Sequence, residues 1–217
     1  MVVDEYAYGN WIIVISVILL VLFFIAKYIP MRTKFQKRSG GVLVAFIVAL
    51  FVEMYGFPLT IYLLSSFLGI NIPLTNQKGH LLGNLITYLG LGNGWLIVMV
   101  ISTILMIIGM GWIIEGWRLV YYSKGRMVMT GIYSKMRHPQ YSGILLITFA
   151  FLIQWPTLIT LIMWPVLVVM YYNLAKREEK DVQKGYKKEY LKYKKRVPMF
   201  IPVFRTFFRK RKKLKKW

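Results

Sequence analysis

Apolar residues gather in this chain into five stretches, and the longest exceed what the core helices of a soluble domain need. The first, Trp11 to Ile29, has about 19 residues and would form ~28 Å of helix. Asp4 and Glu5 precede it, with no basic segment and no small-residue cleavage site, so it reads as a retained span and not a signal peptide. The second, Gly41 to Leu68, contains Glu53, Gly56 and Pro58. A proline inside a helix frees a backbone carbonyl and predicts a kink. The third runs from Trp95 to Tyr122. Two more, 141–154 and 157–174, meet at Gln154-Trp155-Pro156-Thr157, and the shortness of the first predicts a tight helical hairpin. The pattern predicts an all-α, polytopic membrane protein of about five transmembrane helices, with a C-terminal amphipathic helix and a basic tail in the cytoplasm. Three regions follow: a three-helix membrane region over 1–122, a second region over 123–202, and the tail over 203–217.

Charge gives these helices a sidedness. The loops 30–40 and 123–140 are basic, whereas 69–94 holds a single basic residue, Lys78. By the positive-inside rule the N-terminus and 69–94 lie outside, and both basic loops and the C-terminal segment lie in the cytoplasm. A hydrophobic content of 57% agrees with a membrane location. The net charge of +21 would suit nucleic acid, but 18 of the 29 basic residues lie in 175–217, after the last apolar stretch. A polybasic segment placed there attracts anionic lipid at the cytoplasmic face, at roughly 1 kcal/mol per residue. The expected partner is therefore the lipid bilayer and not nucleic acid. The chain has no Cys, which excludes disulfides and thiol catalysis, and only two His, which argues against a metal site. It shows no internal repeat, which argues against inverted-repeat transporters.

Chemistry concentrates at the cytoplasmic boundary. Gly131-Ile132-Tyr133-Ser134-Lys135-Met136-Arg137-His138-Pro139-Gln140-Tyr141-Ser142-Gly143 is rich in donors and aromatics where a span begins. Pro139 suits the first turn of that helix, whose unpaired N–H groups can bind a carboxylate, and Arg137 can add a bidentate contact. Positive-inside anchoring and an interfacial tyrosine belt would use the same residues. Forty residues on comes Arg177-Glu178-Glu179. Glu178, Val182, Tyr186 and Tyr190 fall on one stripe at spacing four, with Tyr171 two turns earlier, so the stripe predicts that Glu178 faces an interior. Solvated pairs on a lysine-rich helix are the alternative.

Several ordered elements together carry a resemblance: Gly131-x-Tyr133, Arg137-His138-Pro139-x-Tyr141-x-Gly143, a hydrophobic hairpin, Glu178-Glu179, Tyr190-x-x-Tyr193, and Val197-Pro198-Met199-Phe200-Ile201-Pro202. Over about 130–202 the chain resembles the isoprenylcysteine carboxyl methyltransferase family of integral-membrane methyltransferases. Met199 stands where members often carry a basic residue, and Arg196 offers a charge nearby. The resemblance implies an enzyme that uses S-adenosylmethionine, reached from the cytoplasm, and makes 123–202 the cofactor-binding region. It places Tyr133, Arg137, His138, Tyr141 and Gly143 on one side of the cofactor and Glu178 and Glu179 on the other, with 190–202 as a cap. Arg137 and Glu178 carry the catalytic roles in this reading. Arg137 and the helix start would hold the cofactor carboxylate, and Glu178 or Glu179 its ribose hydroxyls or amino group. The tyrosines would sit against the cationic methyl donor. The implied acceptor is a lipophilic small molecule, such as a prenylcysteine-like carboxylate.

Methyl transfer from a sulfonium to an ionised carboxylate needs positioning and exclusion of water but no base. An amine acceptor would need one, for which His138 or Glu178 is the candidate. Three charges near or inside spans are further candidates for substrate contact. Glu53 lies ~18 Å into its helix, where an acid either serves function or pins the Gly56/Pro58 kink. Glu115 and Arg118 stand at i,i+3, which also suits a structural pair. Gly109 and Gly116 share a face suited to close helix packing. Two other functions compete: a membrane NADPH-dependent sterol or enone reductase, whose similar loop usually continues with an acid where this chain has Ile144, and a non-enzymatic anchor or adaptor working through the basic tail.

Overall fold

A computed structural model describes residues 9–28, 34–69, 80–123 and 126–203. The helices are α1 (Trp11–Tyr28), α2 (Lys34–Phe51) continued by a π turn (Val52–Gly56), α3 (Leu59–Leu68), α4 (Leu81–Tyr88), α5 (Gly94–Tyr122), α6 (Pro139–Gln154), α7 (Leu158–Gly185) and α8 (Lys187–Lys194), with a 3₁₀ turn at Gly131–Ser134. There is no strand among the described residues. They pack in the lateral order α1, α2, α7, α6, α5, α4. Three helices are long and apolar enough to cross a membrane: Lys37–Gly56, Gly94–Tyr122 and Leu158–Gly185. Trp11–Phe23, Leu59–Leu68 and Pro139–Gln154 are shorter apolar helices. The chain is thus an all-helical membrane protein with three such spans among the described residues, where about five were expected. The run 41–68 breaks in two, and the 16 residues of α6 reach only ~24 Å against a hydrocarbon core of ~30 Å. The basic tail lies outside the described residues.

The break between α2 and α3 accounts for its own backbone groups. A continuous helix would send Leu59 N–H to Tyr55 O and Thr60 N–H to Gly56 O. Here Leu59 N–H turns to Phe57 O (2.9 Å), and Thr60 N–H goes to Glu53 Oε2 (3.0 Å). The two released carbonyls accept from the start of α1: Asn10 N–H to Tyr55 O (2.8 Å) and Gly9 N–H to Gly56 O (2.9 Å). Gly56 lies against the Trp11 ring, which would be 3.0 Å from any Cβ added there. Glu53, one of the two readings of which was a hydrogen bond pinning the kink, does bond across it. Its Oε1 also accepts from Thr60 Oγ1 (2.9 Å), and that hydroxyl accepts Leu158 N–H (2.9 Å) at the start of α7. The buried carboxylate thus serves the unpaired donor at the start of α3, and the Thr60 hydroxyl it holds serves the one at the start of α7. Below it, Leu43, Phe46, Leu50, Leu167, Tyr171 and Leu174 join α2 to α7 in the main apolar cluster.

A short helix, α4, occupies part of the connection 69–94, for which the sequence predicted no element. It packs on the start of α5 at a glycine pair, where a Cβ on Gly94 would fall 2.0 Å from Gly83 O. Thr87 Oγ1 donates to Gly83 O and accepts Gly94 N–H. His80, given no role from sequence, is buried beside Trp155 and donates Nδ1–H to Gln154 O (2.8 Å), a carbonyl at the C-terminal end of α6.

The α5–α6 pair makes the most extensive helix contact among the described residues. A Cβ on Gly109 would lie 2.8 Å from Gly143 O, and one on Gly143 would lie 2.5 Å from Gly109 O. Gly116 meets Pro139 and Gln140 one contact further along. The Gly109/Gly116 face read from the sequence is this contact. Because the opposing atoms are backbone, Gly109→Ala should destabilise the protein by about 1–3 kcal/mol. Gly111→Ala, whose Cβ would meet nothing, should gain about 0.5–1 kcal/mol by helix preference. Thermal unfolding of the two variants in detergent, with shifts of opposite sign, checks this.

Candidate active site

The loop entering α6 is built on α5. Gly131 adopts φ +59°, and a Cβ there would press on Leu119 and lie 3.1 Å from Glu115 Oε1. Glu115 Oε1 accepts Ile132 N–H (3.0 Å), which seats the 3₁₀ turn. The turn delivers Arg137 and His138 to the mouth of α6, where Pro139, lacking an N–H, occupies the first helical position. A C-terminal strap, residues 197–203, then crosses this loop. Arg137 N–H donates to Pro198 O (2.9 Å), His138 N–H to Met199 O (3.0 Å) and Val203 N–H to Lys135 O (3.2 Å). Ser142 Oγ lies 2.8 Å from Phe200 O.

The end of α7 supplies the acids. Its apolar stretch ends at Ala175, and Tyr171, Ala175 and Glu179 form the buried face there. Glu179 Oε1 receives Arg137 Nε (2.7 Å) and His138 Nε2–H (3.2 Å), and Lys194 Nζ sits 2.8 Å from Oε2. Burial acts to raise the Glu179 carboxyl, but contacts from His138, Lys194 and Arg137 outweigh it and hold the group at about 2. Arg137 Nη1 also donates to Val197 O (2.5 Å) and Lys194 O (3.2 Å). Glu178, one residue earlier, is partly exposed and takes the Tyr141 hydroxyl, with His138 Nδ1 3.9 Å away. The His138 ring stacks on Tyr141 (5.6 Å, 5°), and Tyr141 meets Tyr171 (5.3 Å). Tyr193 donates to Tyr133 O (2.6 Å), and burial is the main cause of its phenol being pushed up to about 12, so it stays a donor at neutral pH.

Five of the residues singled out from sequence therefore meet directly: Arg137, His138 and Tyr141 from the loop, Glu178 and Glu179 from α7. Tyr133 is held by Tyr193, whose hydroxyl donates to its carbonyl. Gly143 faces α5 instead, in contact with Gly109. Glu53 sits at the kink, and Glu115 holds the turn rather than pairing with Arg118, which is exposed. The carboxylate turned inward is Glu179 and not Glu178. The stripe through Tyr186 and Tyr190 misplaced it because the helix breaks at Tyr186 (φ −126°, ψ 45°), so those tyrosines do not share a register with α7. Lys194 and Phe200 fall within the 190–202 cap that the resemblance implied, but neither they nor Ser142 were singled out as site residues. The Tyr190-x-x-Tyr193 and Val-Pro-Met-Phe elements carried that cap, and the strap does return to the loop.

Residues 87–189 match the phospholipid methyltransferase family model. This family is related to the isoprenylcysteine carboxyl methyltransferases. The match is to a family of membrane methyltransferases, and it takes in α5, the Gly131–Gly143 loop, the hairpin and the Glu178-Glu179 pair, a little under half of the chain. Lys194 and the strap lie beyond it. No curated protein and no solved structure matches the chain.

The depressed Glu179 group makes the site sensitive to acid. A carboxyl held lower in the folded than in the unfolded protein contributes stability that is complete above its ordinary range and is lost as pH falls through the folded value. The melting temperature in detergent should therefore drop as pH falls from about 5 towards 2. Glu179→Gln should melt lower at neutral pH and lose less over the same range. Parallel pH curves for the two proteins would remove Glu179 from this role.

Proposed function

We propose that this chain transfers a methyl group from S-adenosylmethionine to a lipid-soluble acceptor at the cytoplasmic membrane face. One observation carries the reading: the segment that matches a methyltransferase family contains both the Arg137–Tyr141 loop and the Glu178-Glu179 pair, and the fold holds the two in contact. The residues fit such a cofactor. Glu178 is the accessible carboxylate and can accept from ribose hydroxyls or the amino group, while Tyr133 and Tyr141 offer rings to a cation. Arg137 spends Nε on Glu179 and Nη1 on two carbonyls, which leaves its Nη2 donors for a cofactor carboxylate.

The bound cofactor would supply a methyl group on a positively charged sulfur. The rest falls to the protein. Tyr141 and His138 orient Glu178, and the Arg137–Glu179–Lys194 ion group fixes the loop against α8, so the pocket wall is set before ligand arrives. A carboxylate acceptor forms its new bond to carbon as the sulfur–carbon bond breaks, and the electron pair stays on sulfur. With an amine acceptor the proton goes to His138 or Glu178.

Calorimetric titration of the detergent-purified protein tests the reading. S-adenosylmethionine should bind and NADPH should not. Glu178→Gln should lose a charge-assisted hydrogen bond worth roughly 1.5–3 kcal/mol, about one to two decades of affinity. Glu189→Gln, on the exposed side of α8, should match wild type. Equal cofactor affinity in wild type and Glu178→Gln would refute the assignment.

The orientation belongs to the same proposal: N-terminus outside, C-terminus in the cytoplasm, following the basic loops. The chain has no cysteine, so Asn76→Cys and Lys124→Cys give single labelling positions. Membrane-impermeant reagent should reach them from opposite sides. Labelling from one side would overturn the topology and the cytoplasmic site with it.

A further inference from the structure

We propose that the strap inserts Ile201 and Val203 into the edge of the bilayer, so that the membrane itself holds the strap closed over the Arg137 loop. The inference does not depend on the methyltransferase reading. Val197 to Val203 contains no charged residue, and its last part faces outward: Ile201 is 79% exposed and Val203 44%. Ile201 and Val203 give this uncharged segment an outward apolar edge, and the depth of the strap identifies the phase beside it.

Phe200 packs against Tyr172 (6.4 Å), an exposed ring in the last turn of the apolar part of α7. Lys176, one turn later, places Nζ 4.4 Å over the same ring. An aromatic ring under a lysine amine, at the end of an apolar stretch, is how side chains arrange at the boundary between hydrocarbon and headgroups. The strap is therefore fixed at that boundary beside a lipid-facing residue, and the bilayer is the apolar phase within reach of Ile201 and Val203. The sequence beyond supports the same occupant. Residues 204–217 contain eight basic residues, no acid, and Phe204, Phe207, Phe208 and Trp217, a composition attracted to anionic headgroups.

The consequence reaches the site through the backbone. Pro198 O, Met199 O and Phe200 O bond the N–H groups of Arg137 and His138 and the Ser142 hydroxyl. Lipid contact at 201 and 203 thus holds in place the carbonyls that hold the loop.

The test uses the intact protein in phosphatidylcholine nanodiscs. A bimane dye on Val203→Cys should be quenched severalfold more by shallow spin-labelled lipid than the same dye on Lys188→Cys, an exposed position on α8. In a second arm, Ile201→Ser with Val203→Ser should speed hydrogen exchange at the Arg137 and His138 amides by about tenfold. Amides around Gly109 and Gly143 should stay as protected as in wild type, and Ile201→Leu should leave all of them unchanged. Equal quenching at 203 and 188 overturns the proposal, whether because a second copy or a soluble partner covers the strap. So does unaltered exchange at Arg137 and His138 in the double variant. If that variant fails to fold, the quenching arm decides alone.

Discussion

A backbone N–H or C=O left unpaired in hydrocarbon costs several kcal/mol, so a membrane chain can be irregular only where another segment supplies partners. Four irregular places among the described residues meet that condition. The carbonyls released at the α2–α3 break are taken by the N-terminal turn of α1. Thr60, whose N–H loses its helical acceptor, finds Glu53. The C-terminal end of α6 is met by His80. Across the other end of the hairpin, the loop before α6 is paired by the strap. The fold is a set of helices whose defects are repaired by distant parts of the chain.

That constraint also explains which features could be read in advance. The apolar stretches, the Pro58 break and the Gly109/Gly116 face are local: each is visible within one or two turns of sequence. Glu53 could be narrowed to two readings, but the bond that pins the kink is visible only with Thr60 and Leu158 in place, the latter about a hundred residues away. The division of the second apolar stretch escaped for a local reason too. Hydropathy sees a run of apolar residues and not the π turn that ends α2 and lets α3 start afresh. The α4 helix escaped because eight residues with an internal Gly and Asn carry too little periodic signal.

At the candidate site, the loop and the acidic pair were legible as motifs, and their meeting followed from a hairpin that goes out and returns. What each acid does was not legible. Adjacent residues on a helix point about 100° apart, so Glu178 and Glu179 cannot share an environment. Assigning the inner one needs the register of α7 against α6, which is set by packing around Tyr171 and Ala175. Extending the stripe through Tyr186 imported a register from beyond a break. Lys194 was invisible for the same reason: among many lysines after Ala175, the one that matters is chosen by where α8 folds back.

The different surroundings of the two glutamates suit different tasks. Glu179 is buried with three cationic or potentially cationic partners, and a carboxylate so engaged has little left to offer a ligand. Removing it would leave Arg137 and Lys194 beside each other without their shared anion, so its contribution is to keep loop, α7 and α8 as one unit. Glu178 has one phenol donor, a more distant imidazole and partial exposure. A ligand can displace or join the Tyr141 hydroxyl without stranding a buried charge. Chemistry that must bind and release a cofactor repeatedly is better served by the second arrangement, provided the first keeps the wall still. The ion group also depends on residues outside the family-matched segment, since Lys194 and the carbonyl of Val197 close it. In this chain the rigidity of the shared motif is therefore completed by its own C-terminal segment.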